Sequence, residues 1–293
     1  MIKDNAYGIA PLQEKMLNLL KVLIKMCEDN DLTYFACGGT CLGAVRHDGF
    51  IPWDDDLDVF MPRPDYEKLW KLCGGLDETG NYMLCRTTRE KNYHHRVMQL
   101  VDLNTTFINE RSVNEDIEHG VYIDIIPMDA RASTLLGKIE QVVDCILYSV
   151  YNIQVLPEFN GGKAERFATA LLLKLVPNPD KRYRIWSSAE KRMTKYDWDK
   201  AEEAIELTTA VSNLRKYRPK SWFKSVVKHK FEDTEINLPV EYKKYLKQGF
   251  GNYMELPPAE NRHPRHNTVF VDLDHSYTDY RGKYYLNNDS KEK

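Results

Sequence analysis

The run Pro52-Trp53-Asp54-Asp55-Asp56-Leu57-Asp58, flowing directly into Val59-Phe60-Met61, constrains this chain more than any other feature. Side chains alternate across a strand, so Asp56 and Asp58 project to one face, and Asp54 joins them if the strand begins early. Carboxylates held that close raise one another's pKa and are costly unless a cation neutralises them. All-oxygen donors of this kind suit Mg2+, with Mn2+ as the alternative. A solvated turn is the ordinary fate of an acidic run, but Leu57, Val59, Phe60 and Met61 make this one part of a buried strand.

A second acid stands in Val121-Tyr-Ile-Asp-Ile-Ile-Pro-Met-Asp129, where Asp124 interrupts an apolar strand. A buried carboxylate needs a metal, a cationic partner or a proton. A structural salt bridge would satisfy it; as a third metal carboxylate it could also take a proton from an acceptor hydroxyl. Asp129, past the expected strand end, reads as a helix cap. Gly38-Gly39 follows a strand expected over Leu32 to Cys37 and precedes a short helix, Thr40 to Arg46, that Thr40 would cap. Such a turn is either plain geometry or a phosphate cradle of backbone amides to which Thr40 adds a hydroxyl. Its weight comes from lying 17 residues before Asp56. Among the cations Arg46, His47, Arg63, His94, His95, Arg96 and Arg111, we favour Arg46 and Arg96 as ligand contacts, because one follows the glycine turn and the other opens a strand. His94-His95 has no partner at zinc-ligand spacing.

Apolar residues Leu12, Met16, Leu19, Leu20, Leu23, Ile24 and Cys27 predict one packing helix over residues 11–30. Strands are expected at Leu57 to Met61, Tyr82 to Arg86, Arg96 to Asp102, Phe107-Ile108 and Val121 to Ile126, with a helix at Asp65 to Cys73 between the first two. From Ser133 to about Lys228 the pattern turns helical: Ile139, Val142, Val143, Ile146 and Leu147 make one stripe and Phe167 to Leu175 another, broken at Pro157 to Lys163 and Pro177 to Asp180. The expected organisation is a catalytic core over 1–132, a helical insertion or subdomain on the acceptor side over 133–228, and a C-terminal segment over 229–293 that returns to the site. That segment starts on a strand-like stretch near Trp222 to Phe231 and ends in a mobile charged tail. The class is α/β (α+β) with a mixed sheet.

Formal charge narrows the partners: 41 Lys and Arg against 44 Asp and Glu leave −3, which argues against holding nucleic acid by bulk electrostatics. Six cysteines without a CxxC pair read as reduced core residues. The N-terminal residues carry charges and a proline where a signal peptide needs an apolar stretch, so a cytoplasmic protein is expected. Leu135 to Leu156 is interrupted by Lys138, Glu140 and Asp144, which rules against crossing a bilayer and leaves open resting on the inner membrane face.

The stretch Gly38-Gly-Thr-Cys-Leu-Gly-Ala-Val-Arg-His-Asp-Gly-Phe-Ile-Pro-Trp-Asp-Asp-Asp-Leu-Asp58, continued by Met61-Pro-Arg-Pro-Asp-Tyr66, resembles the signature of the LicD family, which includes bacterial phosphocholine transferases. Asp102 to Thr106, Gly120 to Asp129, and Gly251 to Pro258 with Arg262 and His263 resemble its later blocks. The family is similar to fukutin and fukutin-related protein, which transfer ribitol phosphate. The resemblance implies a nucleotidyltransferase-like fold. It also implies transfer of a phospho-alcohol from CDP-choline or another CDP-alcohol to a hydroxyl of a glycan, teichoic acid precursor or lipid-linked glycan, releasing CMP. Carried over, the glycine turn falls on Gly38 and Gly39, the paired metal acids on Asp56 and Asp58, the third acid on Asp124, and a further acid on Asp54. A choline headgroup would want aromatic walls, for which Trp53, Tyr93, Tyr122 and Tyr253 are available. The rival readings are a nucleotidyltransferase that moves a nucleoside monophosphate and releases pyrophosphate, and a catalytically silent nucleotide-binding subunit.

Overall fold

The apolar stripe of the first helix is realised as α1 (Ala10–Asp29), with Pro11 in the first turn, where its missing amide costs nothing. Next in the chain come β1 (Phe35–Ala36), α2 (Gly38–His47), β2 (Asp58–Pro62), α3 (Arg63–Cys73), β3 (Gly75–Leu76), β4 (Tyr82–Cys85), β5 (Met98–Asp102), β6 (Thr106–Asn109) and β7 (Val121–Ala130). The helices α4 (Leu135–Ile153), α5 (Lys163–Leu175) and α6 (Pro179–Met193) precede β8 (Glu203–Ile205), β9 (Arg218–Pro219), β10 (Val226–Phe231), β11 (Thr234–Pro239), α7 (Tyr242–Phe250) and β12 (Thr268–Asp272). This computed structural model describes residues 6–155, 163–209 and 211–287. The break from Pro157 and the charged tail therefore fall largely or partly outside the described residues.

The main sheet runs β1-β2-β7-β5-β4-β3. Only β2 and β7 are parallel; β1 with β2, β5 with β7, and β4 with both β5 and β3 are antiparallel, so the sheet is mixed and the class is as expected. Its longest strand, β7, lies at the centre, and α1 and α3 pack against it. Alternation along β2 and β7 turns Val59, Met61, Ile123 and Ile125 to one side and Asp58, Phe60, Asp124 and Ile126 to the other. The second set lines a cavity.

Local expectations at three points give way to tertiary constraints. The strand expected from Leu32 pairs only over Phe35–Ala36, and α2 begins at Gly38 with Cys37 as its N-cap, not at Thr40. Asp129 caps no helix: Thr134 caps α4 by accepting from the Gly137 amide, and Asp129 is instead the buried partner of Arg63. The helical character ends at Met193, short of Lys228, because β8 pairs with the free end of β7 at Asp129 and Ala130 and then carries β9. Residues 203–219 thus extend the sheet.

The α4 stripe also faces the opposite way from a packing stripe. Gly137, Gln141, Asp144, Cys145 and Tyr148 are buried, whereas Leu135, Leu136, Ile139, Val142, Val143 and Ile146 are exposed. Inward polarity is tolerated because it is satisfied. Gln141 donates to the carbonyls of Ala130 and Met193 and accepts from the Ala132 amide, and Asp144 pairs with Arg192. Trp186, Ala189 and Met193 of α6 complete a second core with Cys145, Tyr148 and Tyr151. The six cysteines are free thiols, five of them buried. Among the described residues no helix is long and apolar enough to cross a membrane.

Candidate active site

Strand register brings two of the acids together; β2 begins only at Asp58, so Asp54 and Asp56 stand in the loop ahead of it and not on the strand face expected of them. In the parallel pair, Asp58 stands directly beside Asp124, and on the other flank of β7 Gln99 of β5 stands opposite Asp124 and donates to its Oδ1 at 2.7 Å. The Asp124 amide donates to the Leu57 carbonyl, and the Asp58 carbonyl accepts from the Cys37 amide. The Thr40 hydroxyl accepts from the Asp58 amide at 2.9 Å, so its place is to tie α2 to β2. Gly38 has φ of +50° and donates its amide to the Tyr245 hydroxyl at 2.8 Å. A Cβ on Gly39 would collide with the Asp54 carboxylate. The glycine pair therefore lies within the first turn of α2 and lets that turn press against the acidic loop.

Burial comes first in raising the carboxyl pKa values here, and mutual repulsion adds to it. Asp58 is pushed well above the carboxylate range by burial and then by Asp56, Asp124 and Asp54. Asp54 rises to about 8 through burial, Asp56 and Asp55. Burial also raises Asp56. Asp124 rises to about 6, burial outweighing the hydrogen bond from Gln99. Asp55 is the exception: burial opposes its charge, but His266, 3.2 Å away, and the amides of Arg265 and His266 prevail and lower it. Asp55 in turn raises His266, with Asp56 and Asp124 adding to the effect.

The four raised acids offer oxygen donors alone, and the charge crowded there is what a divalent cation would relieve, so their chemistry fits a hard cation. Among the described residues no three His, Cys, Asp or Glu side chains stand in an arrangement that could already hold a metal ion. One expected outcome follows from the sign of the shifts. A carboxyl whose folded pKa exceeds its unfolded value favours the fold while protonated, and that contribution is lost as pH rises toward the folded pKa. Cation-free protein should therefore melt progressively lower between about pH 4 and pH 8, the span from the ordinary carboxyl value to that of Asp54. The raised His266 acts in the same direction above its ordinary value. Added Mg2+ should restore more stability at pH 8 than at pH 5 in a scanning fluorimetry series with and without chelator; equal effects would remove the basis for a cation here.

Asp58 and Asp124 line a cavity of about 500 Å³ together with Phe60, Gln99 and Ile126, whereas Asp56 borders a smaller neighbouring space and Asp54 lies against Gly39. Arg96, Arg111, Lys216 and Arg218 add positive charge to its walls, with Thr208, Thr209 and Asn213 beside them. Arg218 pairs with buried Glu206 at 2.7 Å and lies over the rings of Phe60 and Tyr245. His95, held neutral with its pKa driven to about 3 by burial and by Arg111, also borders this space.

Of the expected contacts, Arg96 reaches the cavity. Arg46 does not line it; its guanidinium donates to the carbonyls of Tyr253 and Glu255 and so fastens the C-terminal segment. Arg63 and Asp129 form a buried ion pair at the far end of β2 and β7. His94 pairs with Glu115 at 2.9 Å. Among the four aromatic residues considered for a headgroup, Tyr122 borders the acids, Trp53 is buried against Tyr7 and His47 beneath Arg262, and Tyr93 sits in a separate small core. Tyr253 packs against the main core. The rings that line the large cavity are Phe60, Tyr245 and Phe250. Gln99 was readable as a polar side chain in the middle of a buried strand; Glu206, Arg218 and His266 carried no comparable local signal.

Residues 31–140, which hold the glycine pair and all four raised acids, match the family model described as LicD/FKTN/FKRP, nucleotidyltransferase domain. The chain is 25% identical over 258 residues to the lipopolysaccharide cholinephosphotransferase LicD of Haemophilus influenzae, covering 85% of this chain and 92% of that one. It is also 32% identical over 80 residues to the uncharacterized protein RP689 of Rickettsia prowazekii, covering 25% of this chain and 30% of that one. The segment matched by the family model contains β2 and β7, whose register sets Asp58 beside Asp124, so the likeness to the LicD/FKTN/FKRP nucleotidyltransferase domain falls on the stretch of this chain that carries the acids.

Proposed function

We propose that this protein is a phosphotransferase that moves phosphocholine, or a related phospho-alcohol, from a CDP-linked donor to a hydroxyl of a cell-surface glycan such as lipopolysaccharide or a teichoic acid precursor. The observation that carries the reading is the Asp58–Asp124 pair at the floor of a cation-lined cavity. Similarity to a lipopolysaccharide cholinephosphotransferase over most of both chains supports the choice of group and acceptor class.

Asp54, Asp56, Asp58 and Asp124 would hold Mg2+ or Mn2+, which when bound would offset charge on a diphosphate. Arg96, Arg111, Lys216 and Arg218 would hold the anionic donor against the walls, so that its phosphorus faces the acceptor hydroxyl. The hydroxyl oxygen forms the new bond to the phosphorus bearing the alcohol, the bond to the CMP oxygen breaks, and the hydroxyl proton leaves to Asp124. With Oδ1 of Asp124 occupied by Gln99, Oδ2 is the oxygen that would receive it.

The test is incubation with a panel of CDP-alcohols, Mg2+ and a lipopolysaccharide acceptor, with nucleotide products read by mass. CMP release that depends on both cation and acceptor is the expected result. Pyrophosphate release from a nucleoside triphosphate would point to nucleotidyl transfer, and binding without turnover to a silent subunit.

A further inference from the structure

The inward face of helix α4 mixes Gln141, Asp144 and Asn152 with Cys145, Tyr148 and Tyr151, while a row of its aliphatic side chains turns to water. Leu136 is 80% exposed, and Leu135, Ile139, Val142, Val143 and Ile146 share its outward face. On the adjoining α5, Phe167 is 71% exposed and is followed at one-turn intervals by exposed Leu171 and Leu175. Two neighbouring helices thus present apolar side chains that the fold does not cover, beyond the scattered exposed aliphatic residues of an ordinary surface.

Charge identifies the occupant. Residues 131–195 carry eleven Lys and Arg against six Asp and Glu, whereas the rest of the chain carries 30 against 38. Exposed Arg166 and Lys174 flank the α5 apolar residues in sequence. An apolar helix face with cationic flanks matches an anionic lipid surface, into which the aliphatic side chains sink while Lys and Arg stay with the headgroups. A symmetric contact between two copies of this chain would set the same basic flanks against each other. We propose that the outward face of α4 and α5 docks the protein on a membrane surface containing anionic lipid.

The placement also connects to the cavities. Tyr148 of α4 donates to the Arg96 carbonyl at 2.8 Å, the Ile153 carbonyl bonds His94 at 2.7 Å, and Val155 just beyond α4 lines a second cavity, of about 420 Å³, with His95, Arg111, Asp124 and His266. The docking face is therefore braced against the segment that borders Asp124.

Vesicle flotation tests the proposal, using phosphatidylcholine vesicles with and without phosphatidylglycerol, alongside the protein's size in solution. Expected are co-flotation with the anionic vesicles, weakening as salt rises, and a loss of at least tenfold in partitioning for the Leu136→Ser, Ile139→Ser, Val143→Ser triple variant. These side chains are exposed, so its melting temperature and CMP release in solution should match the parent. The Arg166→Glu, Lys174→Glu pair, which leaves α4 intact, should lower anionic partitioning and leave the weak neutral binding unchanged. Failure of the parent to float with anionic vesicles, or flotation unaffected by both variants, overturns the proposal. A parent dimer that the triple variant makes monomeric would assign the face to a second copy instead. Vesicle binding is read without substrate, so its failure is separable from failure of the phosphotransfer reading.

Discussion

Asp58→Asn is expected to melt higher than the parent chain in the absence of divalent cation and to lose phospho-alcohol transfer, both from one cause. Asp58 is half-buried beside Asp124 and within the fields of Asp56 and Asp54, and its charged form is disfavoured by desolvation and by all of them. Asparagine has nearly the same shape and no charge, so at pH 8 the repulsion disappears while the backbone bonds to Thr40 and Cys37 remain. A gain on the order of 1 kcal/mol corresponds to about 2–4 °C for a chain of this size. Turnover should fall by roughly a thousandfold or more, the scale seen when a group that organises transition-state charge is removed. Calorimetry in chelator and a CMP-release assay measure the two effects. A variant that melts lower, or one that keeps cation-dependent turnover, would show that Asp58 is a structural acid.

The largest loss of stability is expected at the other end of the same two strands. Arg63 donates from Nε and Nη2 to the two carboxylate oxygens of Asp129 at 2.7 and 2.9 Å, and Asp129 is only 1% exposed. Glu67 and Glu190 share Arg63 with Arg86, so the guanidinium is the centre of a buried network. Arg63→Met would strand the Asp129 charge. Breaking one side of a buried pair costs about 3–5 kcal/mol, or on the order of 10 °C in melting temperature. The Arg63→Met, Asp129→Leu double variant should recover most of that loss, because removing both charges removes the desolvation cost with the attraction. Turnover at a permissive temperature should survive in both, since neither residue lines the cavity. A double variant no more stable than Arg63→Met would mean that the pair acts through packing and not through charge.

These outcomes separate two acidic groups that look alike in the sequence. Asp124 and Asp129 lie five residues apart on β7, the first half-buried and the second buried, yet one faces carboxylates and the other an arginine. The strand pattern predicts that both are buried or near burial and says nothing of what lies across from them. Their roles differ because β2 places Asp58 beside the first, while Arg63, at the start of α3, reaches the second. Reading Asp129 as a cap failed for that reason. Arg63 and Arg46 were open to a similar misreading: an arginine in a chemistry-bearing motif can serve the fold, and both hold distant segments together.

From the sequence alone came the strand through Asp58, the isolated acid at Asp124, the close-packed glycines and the mixed α/β class. Each is written in residues a few positions apart, where alternation, backbone freedom and the cost of a lone buried charge act directly. Tertiary structure decided the rest: which carbonyl or cation meets each arginine, that Glu206 and Arg218 close the cavity from beyond the helices, and that the aliphatic stripe of α4 looks outward. The physical reason is that burial and hydrogen-bond satisfaction belong to pairs of surfaces. Gln141 and Asp144 could turn inward only because Ala130, Met193 and Arg192 arrive from elsewhere in the chain to meet them.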